Sequence, residues 1–83
     1  MKYEVVLSLE AVEDVLRITI TSQAKAEVVK AAKQIQEALC DDPAGAGEHL
    51  SEGLYFIDRE PLRGFYTIDK DEMTVEIVQV KLV

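Results

Sequence analysis

Residues 50–80 read LSEGLYFIDREPLRGFYTIDKDEMTVEIVQV, and the reading of this stretch decides the fold. It divides into three runs rich in β-branched and aromatic residues, Leu54 to Arg59, Arg63 to Ile68 and Met73 to Leu82. Such composition suits pleated, half-buried strands. Between the first two runs, Arg59-Glu60-Pro61-Leu62 makes a tight connection, because Pro61 fixes its own φ and has no N–H to donate to a ladder. Between the last two, Asp69-Lys70-Asp71-Glu72 is a polar hairpin loop of ordinary length. The expectation is a three-stranded antiparallel meander.

Upstream, Tyr3, Val5 and Leu7 alternate with Glu4, Val6 and Ser8, a period of two that predicts a strand over Lys2 to Leu9. Ser8 is placed to cap a helix with Glu10 in its first turn, and Val12, Val15 and Leu16 recur at helical spacing. Val15 to Thr21 (VLRITIT) is mostly β-branched and also alternates, so helix and strand compete there. Thr21 or Ser22 is the expected N-cap of a second helix, whose Val28, Ala32, Ile35 and Leu39 form one apolar stripe. That helix should stop near Cys40, where DDPAGAG supplies turn residues. The predicted class is α+β, an N-terminal strand, a helical hairpin and the meander, with the helices packed on one face of the sheet.

With 83 residues, a single domain over 1–83 is expected, and a chain of this size buries only about 60% of its unfolded surface. Apolar residues make up 48% and charged residues 30%, a globular balance. Sixteen acidic against nine basic residues give a net charge of −7, which opposes polyanions at long range. Lys25, Lys30 and Lys33 share their segment with Glu27 and Glu37, which reads as a solvated helix face. The apolar run in MKYEVVLSLE is too short for a signal peptide core or a membrane span, and the lone Cys40 allows no internal disulfide. A cytoplasmic protein without membrane contact is expected.

Sites with known chemistry are sparse. AGAGEH (44–49) follows a helix and precedes a strand, the reverse of a phosphate-binding loop, so Gly45 and Gly47 are expected to give the turn backbone freedom. His49 is the only histidine, which excludes zinc sites built on several His or Cys ligands, and no cofactor or metal is expected. Ser8, Ser22 and Ser51 are the serines a triad would need to bring to it, and none lies in a nucleophile elbow. Asp58 and Glu60 could pair for acid–base work, but Pro61 ends their strand directly. Arg63 is more informative. It lies inside the apolar and aromatic LRGFY, where its head must reach solvent, a carboxylate such as Asp58, or an anion in a shallow groove on the sheet.

Leu50-Ser51-Glu52-Gly53-Leu54-Tyr55, then Arg63, Tyr66, Ile68 and Asp69 at a spacing that needs no gap, and a closing strand from Thr74 to Val80, resemble the RelE/ParE superfamily of toxins from type II toxin–antitoxin and plasmid-stabilisation systems. The resemblance covers roughly a third of the chain in detail and residues 1–40 in layout. It implies two helices on a twisted antiparallel sheet and a cognate antitoxin that wraps the toxin, with messenger RNA on the ribosome, or gyrase, as targets in the family. It also implies a catalytic role for Arg63, with Arg59, Arg63 and Lys81 as the candidate anion- or RNA-binding set. Phe56 and Asp58, however, stand where nuclease members carry basic residues, and the sequence reaches Lys81-Leu82-Val83 without the family's basic tail. An aspartate there opposes phosphate, and the net charge disfavours ribosome or gyrase, so binding of the antitoxin is the leading expectation. An mRNA interferase built on Arg63 and an unrelated small α+β protein-binding domain are the alternatives. An unpaired sheet edge would invite either a partner or a second copy as a homodimer.

Overall fold

The computed structural model describes residues 2–83. In chain order it contains β1 (Glu4–Leu7), α1 (Leu9–Thr21), α2 (Lys25–Asp41), a single-turn α3 (Pro43–Ala46), β2 (Glu48–Ser51), β3 (Leu54–Arg59), β4 (Leu62–Asp69) and β5 (Thr74–Leu82). The α+β class is as expected, with the helical hairpin packed on one face of the sheet. The meander, however, is the centre of a five-stranded sheet ordered β1-β5-β4-β3-β2. Its antiparallel core gains β2 on one side, and on the other β1, which runs parallel to β5 with Glu4 opposite Thr74 and Leu7 opposite Ile77.

α1 settles the contest over Val15 to Thr21 in favour of helix. Ala11 and Ile18 are buried in the common core and Val15 packs against it, and that burial outweighs the β-branched propensity. Ser8 caps the helix as expected: its Oγ accepts the Ala11 N–H at 3.1 Å and donates to the Val78 carbonyl at 3.2 Å. The buried face differs from the sequence reading. Ala11, Asp14 and Ile18 point inward, whereas Val12 and Leu16 are exposed. Ser22 belongs to the end of α1, with its N–H on the Ile18 carbonyl and its Oγ accepting from Ala24. The N-cap of α2 is therefore Ala24 with no side-chain acceptor, in place of the expected Thr21 or Ser22. Lys25 Nζ donates to the Ser22 carbonyl at 2.8 Å and the Ile20 carbonyl at 3.3 Å, so a cation satisfies the end of α1.

α2 buries Val28, Ile35 and Leu39 of the expected stripe and adds Ala31, with Ala32 half-buried. Beyond it, Asp42 Oδ1 accepts the Gly45 N–H at 3.2 Å and starts α3. Gly47 is needed for close approach, not for backbone freedom: a Cβ there would lie 2.3 Å from both the Phe56 carbonyl oxygen and the Tyr66 hydroxyl. The glycine that does use the left-handed region is Gly53, at φ 76° in the β2–β3 turn. Tyr66 is fully buried and donates to the Pro43 carbonyl at 2.7 Å, tying β4 to α3.

Two irregularities shape β5. A bulge places Phe65 opposite Gln79 but Tyr66 opposite Ile77, leaving Val78 as the extra residue. β1 ends at Leu7, so the edge of β5 beyond Ile77 has no strand beside it. α1 fills this gap, because the Asp14 carboxylate accepts the Val80 N–H at 3.0 Å.

Candidate functional site on the open sheet face

Side chains alternate across a pleated sheet, so residues paired in register share a face. Ile57, Tyr66, Ile77 and Val80 turn toward the helices and join the core. On the other face, toward the β3–β4 turn, lie the cross-strand rows Glu48, Phe56, Phe65 and Gln79, and Asp58, Arg63 and Lys81, with Thr67 and Glu76 following further along. Of the residues that the sequence singled out, this open face holds Asp58, Arg63 and Lys81.

Arg63 meets the carboxylate anticipated for it. Nε donates to Asp58 Oδ1 at 2.6 Å and one terminal nitrogen donates to Oδ2 at 2.8 Å, a bidentate pair between register neighbours. Its guanidinium also lies 4.7 Å from the centre of the Phe56 ring. These hydrogen bonds from Arg63 hold the Asp58 carboxyl below the usual carboxylate range, with burial opposing the shift. They raise the Arg63 pKa in turn, and Glu48 adds a smaller push in the same direction. Both side chains are about one-third exposed, so solvent screening keeps the pair's contribution to stability small.

Lys81 is the register partner of Arg63 on β5, and its Nζ lies 5.2 Å from the Phe65 ring centre. Phe56 and Phe65 are themselves a tilted pair at 6.5 Å. The structure thus brings Arg63 and Lys81 together on an aromatic floor. Arg59 is separated from them, since it alternates to the opposite side of β3 and donates to the Asp58 carbonyl at 2.7 Å. Against Arg63 and Lys81 stand Asp58 and Glu48, and Glu76 and Asp69 lie further along the same face, so it carries no net positive charge to attract phosphate. Asp58 itself is committed to Arg63, which leaves Glu60 without the partner that paired-carboxylate chemistry needs.

His49 packs edge-on against Tyr55 at 5.2 Å, and Tyr55 stacks on Tyr66 at 5.5 Å, an aromatic arrangement at the β2 side of the sheet. Ser8 and Ser22 act at the two ends of α1 and give His49 no nucleophile. Among the described residues, no three His, Cys, Asp or Glu side chains are grouped to hold a metal ion, and no helix is long and apolar enough to cross a membrane.

Two features lay beyond sequence reading. One is the Phe56–Phe65 floor, whose signal was the shared parity of the two residues about the Glu60-Pro61 turn. The other is an apolar groove of 290 Å³ between the helical hairpin and the sheet, with Val15, Val29, Ala32, Leu62 and Val80 among its walls and Lys33 beside them.

No protein-family model and no curated relative matches this sequence. Solved structures do match along the whole chain. The RelBE2 toxin–antitoxin complex of Mycobacterium tuberculosis aligns with a TM-score of 0.84 at 21% identity, covering 100% of this chain and 93% of that one. The archaeal RelE–RelB complex of Pyrococcus horikoshii aligns at 0.72 and 16% identity over 99% and 96%. The chromosomal ParDE toxin–antitoxin system of P. aeruginosa aligns at 0.68 and 18% identity over 98% and 96%. A β1–helical hairpin–meander chain that superposes on these structures over nearly its full length has the fold of the RelE/ParE superfamily toxins.

Proposed function

We propose that this chain is the toxin-type component of a type II toxin–antitoxin pair, acting in the cytoplasm as a single domain whose main activity is to bind a cognate antitoxin protein. The observation that carries this reading is a contrast between two surfaces. The cation on the sheet is engaged by a carboxylate of its own chain, while the groove between helices and sheet is open and apolar. Two of the five Arg63 N–H donors are already used, and an anion approaching the others meets Asp58 and Glu48. A groove lined by Val15, Val29, Ala32, Leu62 and Val80 suits the apolar side of a partner segment laid against the hairpin. The solved neighbours include toxin chains in complex with antitoxins, which supports a partner of this kind.

Co-expression of the tagged chain with the product of the adjacent gene tests the reading. A stable complex is expected, retained in Arg63→Ala and lost in Val29→Asp, which places a charge in the groove wall. Failure to co-purify with that product would sink the proposal.

A second reading, a ribosome-dependent mRNA interferase, is favoured by one observation: Arg63 and Lys81 are cross-strand neighbours on the aromatic floor. Cleavage of messenger RNA in a translation extract, abolished by Arg63→Ala, would establish it in place of the first. Growth arrest with gyrase-dependent DNA breaks would instead assign the other target class of the fold.

A further inference from the structure

α1 is apolar on both of its sides. Ala11 and Ile18 face the core, yet Leu9, Leu16 and Ile20 are 76%, 56% and 72% exposed, with Val12 beside them at 39%. At about 100° per residue, Leu9, Leu16 and Ile20 lie along one narrow line on the side of the helix opposite Ile18. Scattered apolar residues on a surface are ordinary, but a continuous stripe the length of a helix marks a contact surface. Among the described residues, no other element of the chain covers it.

We infer that a second copy of this chain covers this stripe, the two α1 helices packing antiparallel about a two-fold axis near Asp14 and Val15. A two-fold interface requires one patch to complement itself, and this stripe does. With the helices antiparallel, Leu9 meets Ile20 of the other copy and Val12 meets Leu16, so large side chains face large ones throughout. The flanking charges fit the same arrangement. Glu13 lies on the N-terminal half and Arg17 on the C-terminal half of one flank, so antiparallel packing sets each Glu13 beside the other copy's Arg17. Parallel packing would instead set this flank beside Val12 and Thr19 of the other copy, leaving Glu13 and Arg17 without a charged partner across the interface. Arg17 is free to take part, since its side chain is 62% exposed and holds Asp14 through a single terminal nitrogen at 2.9 Å. Antiparallel helices also oppose their dipoles.

α1 has 13 residues and is about 20 Å long, so the contact is smaller than the roughly 1,200 Å² typical of stable complexes, and the association is weak and concentration-dependent. It is independent of the antitoxin reading, because Val15, which lines the groove, lies on the inward side of α1.

Sedimentation equilibrium of the untagged full chain over a wide concentration range tests the inference. Wild type should show a reversible monomer–dimer equilibrium, weakened about tenfold or more by Ile20→Asp or by Leu16→Asp. Glu13→Arg alone and Arg17→Glu alone should each be monomeric at concentrations where wild type is dimeric. An equimolar mixture of the two variants should dimerise again, because both cross-helix pairs regain opposite charges. Circular dichroism and thermal melts of each variant show that it is folded. A wild type that stays monomeric at the highest concentration, a dimer indifferent to Leu16→Asp, or no recovery in the mixture would each overturn the inference. Loss of antitoxin capture in Ile20→Asp, with wild type monomeric, would assign the stripe to the antitoxin instead.

Discussion

The carboxylate of Asp14, on α1, accepts the backbone N–H of Val80, on β5, at 3.0 Å across 66 residues of sequence. It does so where β1 has ended and the β5 edge has no strand beside it, so a helix side chain completes the sheet. Among the described residues Asp14 is the buried charged one, 7% exposed, and Arg17 donates to its other oxygen at 2.9 Å.

Replacing Asp14 with Ala should destabilise the fold by about 1–3 kcal/mol, because the Val80 N–H loses its acceptor and α1 loses its hold on β5. Asp14→Asn, which keeps an acceptor oxygen, should cost less. The Val80 hydrogen bond holds the Asp14 pKa below the ordinary carboxylate value, with burial opposing and Arg17 assisting. Its contribution to stability is therefore complete above the unfolded value near 4 and is lost as pH falls through the depressed folded value. Urea unfolding at a series of acidic pH values should show a steeper acid loss in wild type than in Asp14→Asn.

Tyr66 carries the opposite pH signature. Burial, with a contribution from Tyr55, pushes its hydroxyl from 10.0 up to about 12. The neutral form is favoured by the fold, so this contribution is complete below pH 10 and is lost as pH rises through about 12. Tyr66→Phe should cost roughly 1 kcal/mol at neutral pH through the lost hydrogen bond to the Pro43 carbonyl, and should flatten the alkaline limb of the stability profile. Unfolding followed between neutral pH and pH 12 checks both.

Gly47→Ala should destabilise by about 1–3 kcal/mol, since the new methyl meets the Phe56 backbone, which cannot swing aside. Gly45→Ala meets only the Asp42 carboxylate, a side chain free to rotate, so it should be milder. Thermal melts of the two variants side by side decide the order.

Asp58→Lys should make the Arg63 end of the sheet face cationic, because it removes the Arg63 partner and adds a positive charge beside Arg63. Short single-stranded RNA should then bind more tightly than to wild type at low salt, with a steeper loss of affinity as salt rises. Fluorescence anisotropy with a labelled oligonucleotide reads both. Equal affinities would show that Asp58 is not what keeps the face from binding phosphate.

The sequence by itself determined the classes of element and much of their placement. Alternation over residues 54–82 marked the meander, Ser8 marked the start of α1, and Val28, Ile35 and Leu39 marked the buried side of α2. It also offered Asp58 among the partners for Arg63, and the structure selects it because the two residues flank the Glu60-Pro61 turn at equal distance and become register neighbours in the hairpin. What it left open was long-range. Val15 to Thr21 fits helix and strand equally by local preference, and only burial of Ile18 against the rest of the core selects helix. Periodicity shows that α1 has apolar residues at helical spacing, but with stripes on both sides it does not say which side turns inward. That choice follows from β1 stopping at Leu7, which leaves a backbone donor at Val80 that Asp14 is placed to satisfy. Once Asp14 is drawn to the sheet, Ala11 and Ile18 go with it, and Leu9, Leu16 and Ile20 are left facing outward.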